Sequence, residues 1–388
     1  MSTLSVTTIN TANGTTDLTV TSGNTVGGKV IVSSGGGVFL QGNSGANAIV
    51  IATNNAVTFS NTVNITGATT FSNTVNITGA ATFSNTVNIT GDTTVAGNFS
   101  MASSFKRNRI INGNCAVDQR NAGAAQTITA GAALTYTVDR FYAYCTGANV
   151  TGQQVAGATA NQYRYQFTGA ASVTAINFAQ RIEALNCADL AGTTATFSVD
   201  LANSLLTTVT WTAYYANTTN TFGTLASPTV TSIATGTFTV SSTVTRYNVQ
   251  IAIPSAATTG LQIVLSVGAQ TSGTWTIGNV QLEAGSIATP YERQIYSDQL
   301  AQCQRYYFNQ SQQLYNSLYA SGSTGYTQLG RSFPVTMRVS PTITLLNTAY
   351  SAWSLSAVIA STNDFSLSGT ASGGNGYIGY SFNAAAEL

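Results

Sequence analysis

Carboxylates are the side chains of this sequence with the most direct use in catalysis. Glycoside hydrolysis needs two of them about 5 to 9.5 Å apart across a sugar. Four acids in the middle of the chain are available: Glu183, Asp189, Asp200 and Asp298. Their spacing selects no pair. The sequence has no histidine, which excludes Ser/His/Asp and Cys/His nucleophiles and imidazole metal sites. We therefore expect no enzymatic activity, with glycan hydrolysis as the remaining catalytic alternative.

The cysteines give no sign of a metal site or a cofactor. They are widely separated and form no CxxC pair of the kind that holds zinc or does redox chemistry: Cys115, Cys145, Cys187 and Cys303. We expect reduced, mostly buried thiols, with two disulfides as an alternative. No DxDxDG-like loop supports calcium. No metal and no cofactor is predicted, although a structural calcium on loop oxygens stays open.

Charge is sparse and nearly balanced. The chain has 388 residues, a formal net charge of +1 and only 6% charged residues. A nucleic-acid partner is not expected, because phosphate binding needs clustered Lys and Arg. The one dense basic stretch, Lys106, Arg107 and Arg109, is more typical of solvated surface than of a binding patch. No run of about 18 apolar residues predicts membrane insertion, and "MSTLSVTTIN" has no signal-peptide pattern.

Aromatic residues near the end of the sequence indicate sugar binding instead. Sugar C–H groups stack on aromatic faces while hydroxyls bond to amides and carboxylates, and rigid Tyr and Trp side chains lose little entropy on binding. Small neighbouring residues would leave the ring faces accessible. The candidate glycan site comprises Tyr350, Trp353, Asn363, Asp364, Tyr377 and Tyr380. For individual aromatics, Trp353 among them, the alternative is a place in the core of a thin domain.

A phrase upstream, "TFSNTVNITGAT", recurs every 12 residues. Alternate side chains of a strand share a face, and the period is even, so the apolar residues of every copy fall on one face. This stripe comprises Phe59, Val63, Ile65, Phe71, Val75, Ile77, Phe83, Val87 and Ile89. Glycine closes each copy, so each unit predicts a strand and a turn. One unit buries too little area to be stable. We favour three chains wrapped about an axis, with a single-chain β-helix as the alternative.

The middle of the chain contains alternating runs that predict half-buried strands. They are "YRYQF" (163–167), "VTWTAYY" (209–215), "YNVQIAI" (247–253) and "LQIVLSV" (261–267). Loops of Gly, Ser, Thr and Asn separate them, which indicates an antiparallel sandwich, and we favour a jelly roll. "YSDQLAQCQRYYF" is the best helix, with Ser297 as its predicted N-cap. It joins the sandwich to a smaller β domain.

Two acids beside arginines predict local ion pairs in a chain with few charges. Asp118 lies two residues before Arg120, and Asp139 directly precedes Arg140. Opposite charges this close in sequence suit pairs that fix the ends of strands. We expect a structural role for them rather than a sugar contact.

Five phrases, in this order, resemble those of tail fibre and receptor-binding proteins of tailed bacteriophages. They are "RNRIINGNCAVDQRNAG" (107–123), "VDRFYAY" (138–144), "GNVQLEAGSIATPYERQ" (278–294), "QCQRYYF" (302–308) and "SFPVTMRVSPTIT" (332–344). The resemblance covers about residues 105 to 345. It implies trimers that adsorb to a bacterial glycan, and a jelly roll of the carbohydrate-module type whose first strand, near "INGN", lies beside its last, near "GNVQLEAG". It implies no catalytic motif.

The expected fold is all-β: an elongated trimeric fibre made of five regions. Residues 1–56 form the virion-attachment and upper shaft region, and 57–104 form the repetitive β shaft. The jelly-roll sandwich occupies 105–293, a linking helix 294–309, and a C-terminal receptor-binding β tip 310–388. The trimer is inferred from repeat geometry and resemblance together.

The expected function is attachment of a phage to its host. The chain would bind surface polysaccharide or lipopolysaccharide multivalently and without catalysis, as a homotrimer. Its other partner would be a virion tail or baseplate protein, held through the N-terminus. The expected location is the virion tail, assembled in the bacterial cytoplasm. The alternatives are a structural tail or baseplate component without receptor binding, and a glycan-degrading tailspike.

Overall fold

The computed structural model describes most of the chain from residue 106 onward. The described residues are 69–71, 74–83, 87–91, 94, 106–131, 133–157, 163–320, 325–371 and 374–388, with side chains omitted at 317–328 and 371–376. They belong to two units, Met1–Thr94 and Val95–Leu388. The predicted attachment region 1–56 lies outside the described residues.

Twelve strands of the second unit form two antiparallel six-stranded sheets. In chain order they are β1 (Gln126–Ile128), β2 (Thr135–Tyr136), β3 (Phe141–Thr146), β4 (Val150–Ala156), β5 (Tyr163–Thr168), β6 (Ala175–Ile182), β7 (Thr194–Asn203), β8 (Thr208–Ala216), β9 (Val230–Thr239), β10 (Thr245–Ala252), β11 (Leu261–Val267) and β12 (Thr274–Ala284). The first sheet has the order β1-β4-β5-β12-β7-β10 and the second β2-β3-β6-β11-β8-β9. The four strands predicted from alternation are present.

Aromatic rings from both sheets meet between them. Phe178 of the second sheet stacks on Phe141 at 4.6 Å between ring centroids and on Tyr165 of the first sheet at 5.3 Å. Phe167 stacks on Trp275 at 5.4 Å. These residues belong to one buried cluster that runs through the whole sandwich. Burial of one face explains why the alternation was readable: an apolar face on each strand must be removed from water.

The chain enters the sandwich beside its last strand. Arg109 N donates to Leu282 O at 2.8 Å, and Val280 N donates to Gly113 O at 2.8 Å. This is the pairing of the "INGN" and "GNVQLEAG" phrases that the resemblance implied. Gly113 is required by the close approach, because a Cβ there would lie 2.0 Å from Val280 O.

A helix and a smaller β domain follow the sandwich. The elements are α1 (Tyr296–Gln304), β13 (Tyr307–Ala320), β14 (Gly325–Ser332), β15 (Thr342–Ser351), β16 (Trp353–Ala360), β17 (Asp364–Ala371) and β18 (Gly374–Ala385). Two three-stranded sheets, β13-β18-β15 and β14-β17-β16, pack around a second core. The predicted cap was wrong: Ile295 occupies the N-cap position and no side chain bonds there. Ser297 lies inside the first turn.

The two β domains are joined by ion pairs that the sequence did not predict. Glu387 pairs with Arg140 and, at 2.9 Å, with Arg120. The predicted local pairs are therefore wrong. Asp118 instead accepts from the backbone of its own turn, and Asp139 accepts two hydrogen bonds from Gln119, each 2.7 Å long. Residues adjacent in sequence seldom face each other, whereas Glu387 reaches both arginines from the end of the second domain.

The described pieces of the repeats contain no paired strand and bend at Gly79 and Gly91. The bends agree with the predicted turns. The expected strands are not formed in these pieces, because strands need hydrogen-bonded partners. The apolar side chains are all exposed in the single chain: Phe71, Val75, Ile77, Phe83, Val87 and Ile89. Phe59, Val63 and Ile65 lie outside the described residues.

The described fold is all-β with antiparallel sheets and one α-helix, as predicted. Trimer and fibre remain predictions. Within the described ranges, no helix has the length and apolarity to cross a membrane.

Candidate functional site

The predicted glycan site at the tip does not assemble. Trp353 pairs with Ala371 at one end of β17, whereas Asp364 starts the strand at the other end. Seven residues of strand separate the ends by about 23 Å. Asn363 and Asp364 are also engaged locally, since Thr336 Oγ1 donates to Asn363 Oδ1 at 2.9 Å and Ser361 Oγ donates to Asp364 Oδ1 at 2.7 Å.

The four predicted aromatics do not form one surface either. Trp353 is 6% exposed and Tyr380 0% exposed, so both are core residues and neither offers a ring face to a ligand. Tyr350 and Tyr377 are 40% and 42% exposed, but Tyr377 is paired with Ser351, the neighbour of Tyr350. Because adjacent residues of a strand point to opposite faces, the two tyrosines lie on opposite faces of their sheet.

A better candidate lies on the outer face of the second sheet of the sandwich. Tyrosines, an arginine and an amide converge there on small residues of the central strands. We call this surface the tyrosine trough; it comprises Tyr142, Tyr144, Ala179, Arg181, Tyr214, Gln262 and Val264. It lies opposite the aromatic core, on the same strands.

Strand register produces the shape of the trough. In one row, Tyr142 pairs with Ala179, which pairs with Val264. In the next row, Arg181 pairs with Gln262, which pairs with Tyr214. Ala179 and Tyr142 are each only 1% exposed, so this row forms the closed base of the trough. The half-buried Tyr144 and Tyr214 stand at its open side. The partly exposed rings of Tyr144 and Tyr214 are the part of the trough that a ring-shaped ligand could contact.

The loop between β8 and β9, residues 217–229, forms a wall of the trough. Phe222, Thr224, Leu225 and Pro228 line the cavity from this side. Arg181 holds the wall in place, since its Nη2 donates to Gly223 O at 3.2 Å while its Nε donates to Gln262 Oε1 at 3.2 Å. Gly223 has φ +70°, and a Cβ there would lie 2.3 Å from Ser227 O. The loop is therefore fixed by a glycine turn and one guanidinium.

Arg181 also ties the trough to the second domain. Its Nη1 donates to Leu388 O at 2.7 Å, and Tyr136 Oη donates to the same oxygen at 3.0 Å. Its guanidinium lies 5.2 Å from the centre of the Tyr142 ring, a cation–π contact. Arg181 thus acts as a positioning residue for the surfaces around it.

Two adjoining cavities make up the open part of the trough. Their volumes are about 150 and 480 Å³, and they meet at Tyr144, Thr224 and Leu225. Burial raises the pKa of Tyr142 and of Tyr144. Both hydroxyls therefore stay protonated at neutral pH and can donate hydrogen bonds. Apolar rings, hydroxyl donors and the Gln262 amide together suit a neutral, hydroxyl-rich ligand.

Sequence reasoning missed this site although one signal was present. In "FYAYCT", Phe141, Ala143 and Cys145 face the core, so Tyr142 and Tyr144 share the outer face. Both tyrosines lie in the phrase "VDRFYAY" (138–144), whose resemblance to phage proteins gives neither of them a separate role. Their partners on other strands depend on register, which the sequence does not give.

The candidate catalytic acids are engaged in ion pairs or lie at the surface. Glu183 accepts from Arg305, Asp189 pairs with Arg109 at 2.5 Å, and Asp200 pairs with Arg246 at 3.2 Å. Asp298 is exposed in the first turn of α1. Among the residues described as lining the trough, none is an acid.

The four cysteines are free and buried, as expected. Burial raises the pKa of Cys115 and of Cys187 to about 12, so their thiols remain protonated. No group of three or more metal-ligating side chains occurs in the part of the chain that the structure describes.

No protein-family model matches the chain, and no curated protein matches it. Among solved structures, the enzymatically active domain of tailspike protein 4 from bacteriophage CBA120 overlaps 46% of this chain with 17% identity and a TM-score of 0.28. This chain spans 21% of that tailspike chain.

Two carbohydrate-binding modules are similar at the same level. The module CBM4 overlaps 45% of this chain and 98% of its own, with 18% identity and a TM-score of 0.29. TmCBM61, in complex with β-1,4-galactotriose, overlaps 46% of this chain and 100% of its own, with 11% identity and a TM-score of 0.28. Similarity this low does not assign a ligand or a function.

Proposed function

We propose that this chain is a phage tail fibre protein that binds bacterial surface polysaccharide through the tyrosine trough. The observation that carries the binding function is the trough itself, in which the half-buried Tyr144 and Tyr214 line a cavity together with Gln262 and the loop between β8 and β9. Binding proceeds without catalysis, because the trough presents rings, amides and hydroxyls rather than paired carboxylates.

The proposal includes assembly as a homotrimer, which the repeats support. The exposed apolar side chains of the described repeats, such as Phe71 and Phe83 at 67% and 65% exposure, require a cover, and further copies of the same stripe provide it. Three troughs on one particle gain avidity from their high effective concentration. Attachment through residues 1–56 to a tail or baseplate protein completes the proposal. The phage resemblance itself covers about residues 105 to 345 and includes none of this region.

Binding is tested on an array of purified capsular polysaccharides and lipopolysaccharides. Tyr144→Ala and Tyr214→Ala each remove a ring at the trough and should weaken binding about tenfold, as expected when a central aromatic contact is removed. Tyr377→Ala removes an exposed ring from the other domain and serves as the matched control. Thermal denaturation of each variant checks that the fold is intact.

The control separates the trough from the tip. Retained binding in the trough variants together with lost binding in Tyr377→Ala would refute the trough and restore the tip. Light scattering tests assembly independently: a mass of three times 40.1 kDa is expected, and a monomer would refute the wrapped repeats.

A further inference from the structure

A separate cavity lies where the start of the sandwich, the turn after β6 and α1 come together. Its volume is about 310 Å³. We call it the basic pocket; its polar lining comprises Lys106, Asn108, Arg109, Asn186, Gln294, Gln302 and Arg305. Lys106 and Arg109 belong to the basic stretch that the sequence assigned to solvated surface.

The lining is strongly biased in charge. Three cations line the basic pocket in a chain with only 6% charged residues, and no carboxylate lines it among the described residues. None of the described carboxylates forms an ion pair with Lys106. Asp189 and Glu183 each pair with one of the arginines, so the charge of Lys106 is left in excess and favours an anion.

Both arginines are held from outside the cavity. Glu183 accepts from Arg305 Nη2 at 3.0 and 3.3 Å and from Tyr306 Oη at 2.8 Å. Asp189 holds Arg109 Nη2 at 2.5 Å. Guanidinium groups fixed in this way lose little freedom when they bind a carboxylate or a phosphate in their planar fork.

The wall that carries Lys106 and Arg109 is also rigid. The Ile111 backbone exchanges two hydrogen bonds with the buried Gln180 side chain, each 2.8 Å long. Asn108 Nδ2 donates to Val280 O at 3.1 Å. Arg109 and Arg305 therefore keep their positions without a ligand, which is the condition for a preorganised site, whereas Lys106 is exposed.

Volume and polar groups define the ligand further. A cavity of this size is at the small end of ligand sites and suits one sugar ring rather than an oligosaccharide. The amides of Asn186, Gln294 and Gln302 can donate to and accept from hydroxyls. We propose that the basic pocket binds a single sugar unit that carries a carboxylate or phosphate group. This site is separate from the tyrosine trough and suits an acidic component of a surface polysaccharide.

Saturation-transfer NMR titrations of the full chain test the proposal with glucuronate, glucose 1-phosphate and methyl glucoside. Both acidic sugars should bind and methyl glucoside should not compete for the site. A response to one acid alone would identify the anionic group as carboxylate or phosphate. Equal binding of all three sugars would overturn the proposal.

Charge-neutralising variants locate the site. Lys106→Gln and Arg109→Gln should each raise the Kd for the acidic sugar about tenfold, the loss expected for one charge-assisted hydrogen bond. Both leave the fold intact, since Lys106 is exposed and the Asp189 left behind is 58% exposed. Arg164→Gln, on β5 of the first sheet, removes the same charge elsewhere and should leave the Kd unchanged.

The trough provides the remaining control. Tyr214→Ala should leave acidic-sugar binding unchanged, so failure of the trough and failure of the basic pocket are distinguishable. If Arg164→Gln weakens binding as much as Lys106→Gln, the effect is one of net charge and the pocket is refuted. If Tyr214→Ala alone abolishes binding, the acid binds in the trough and the pocket is likewise refuted.

Discussion

Replacing Glu387 by alanine should destabilise the second unit severely. Its carboxylate is shared by Arg140 and Arg120, and the three side chains are only 8%, 2% and 16% exposed. Burial alone would lower the pKa of Arg140, but Glu387 is among the groups that reverse this and raise it. Arg140 therefore stays charged, and loss of Glu387 would leave that charge buried without its partner.

The size of the destabilisation depends on the contacts that each arginine retains when Glu387 is removed. Arg140 retains one hydrogen bond, from Nη2 to Arg181 O at 2.7 Å, and its contact with the Tyr306 ring at 3.6 Å. Arg120 retains the Tyr307 ring at 3.6 Å and is partly hydrated. Removing one member of a buried pair costs about 3 to 5 kcal/mol. For a unit of this size the cost corresponds to a fall in Tm of roughly 6 to 20 °C.

The assay is thermal denaturation followed by circular dichroism, at one protein concentration because assembly also affects Tm. The Tm of Glu387→Gln should lie between those of the wild type and Glu387→Ala, since its amide oxygen still accepts a hydrogen bond from one arginine. Asp298→Ala removes an exposed carboxylate from α1 and is the matched control. If Glu387→Ala has the same Tm as the Asp298→Ala control, the buried pair contributes nothing to stability and the reasoning is refuted.

Two further predictions concern Asp139 and Trp353. Burial raises the pKa of Asp139 to about 7 from 3.8, so ionisation of this carboxyl opposes folding. The free energy of unfolding should therefore fall as pH rises from about 4 to 7, by at most about 1.4 kcal/mol per pH unit. Asp139→Asn should remove this pH dependence in urea titrations, and an unchanged dependence would assign it to other groups. Trp353→Ala should lower the free energy of unfolding by about 3 to 5 kcal/mol, because it truncates a core residue, and Tyr350→Ala should lower it much less. Equal and small losses for the two variants would show that Trp353 is not a core residue.

The strands of the sandwich were readable because each buries one face. In "VTWTAYY" the positions of Val209, Trp211 and Ala213 alternate with polar residues, and the structure buries all three. A signal of this kind is local, since a strand of period two needs no knowledge of its neighbours. Which strands pair, and in which register, is decided by residues far apart.

The errors arose where distant pairing decides the outcome. Trp353 has small neighbours in sequence, but its ring lies over Gly369, where a Cβ would lie 2.2 Å from Trp353 Cζ2. The missing side chain of that glycine makes room for the ring in the core. Arg140 likewise finds its partner 247 residues away. The local sequence pattern predicts neither contact. The tyrosine trough is equally unpredictable, because its residues are brought together by the register between strands.

The pairing of residues 109–113 with β12 has a consequence for synthesis of the chain. Asn108 Nδ2 finds its acceptor, Val280 O, 172 residues later. At about 5 to 20 residues per second, a ribosome needs roughly 10 to 30 s to cover that distance. During this interval the nascent sandwich lacks β12, which lies between β5 and β7, so each of these two strands has an unpaired edge. Neighbouring ribosomes on one message would hold such edges close together, and unpaired edges are templates for pairing between incomplete chains.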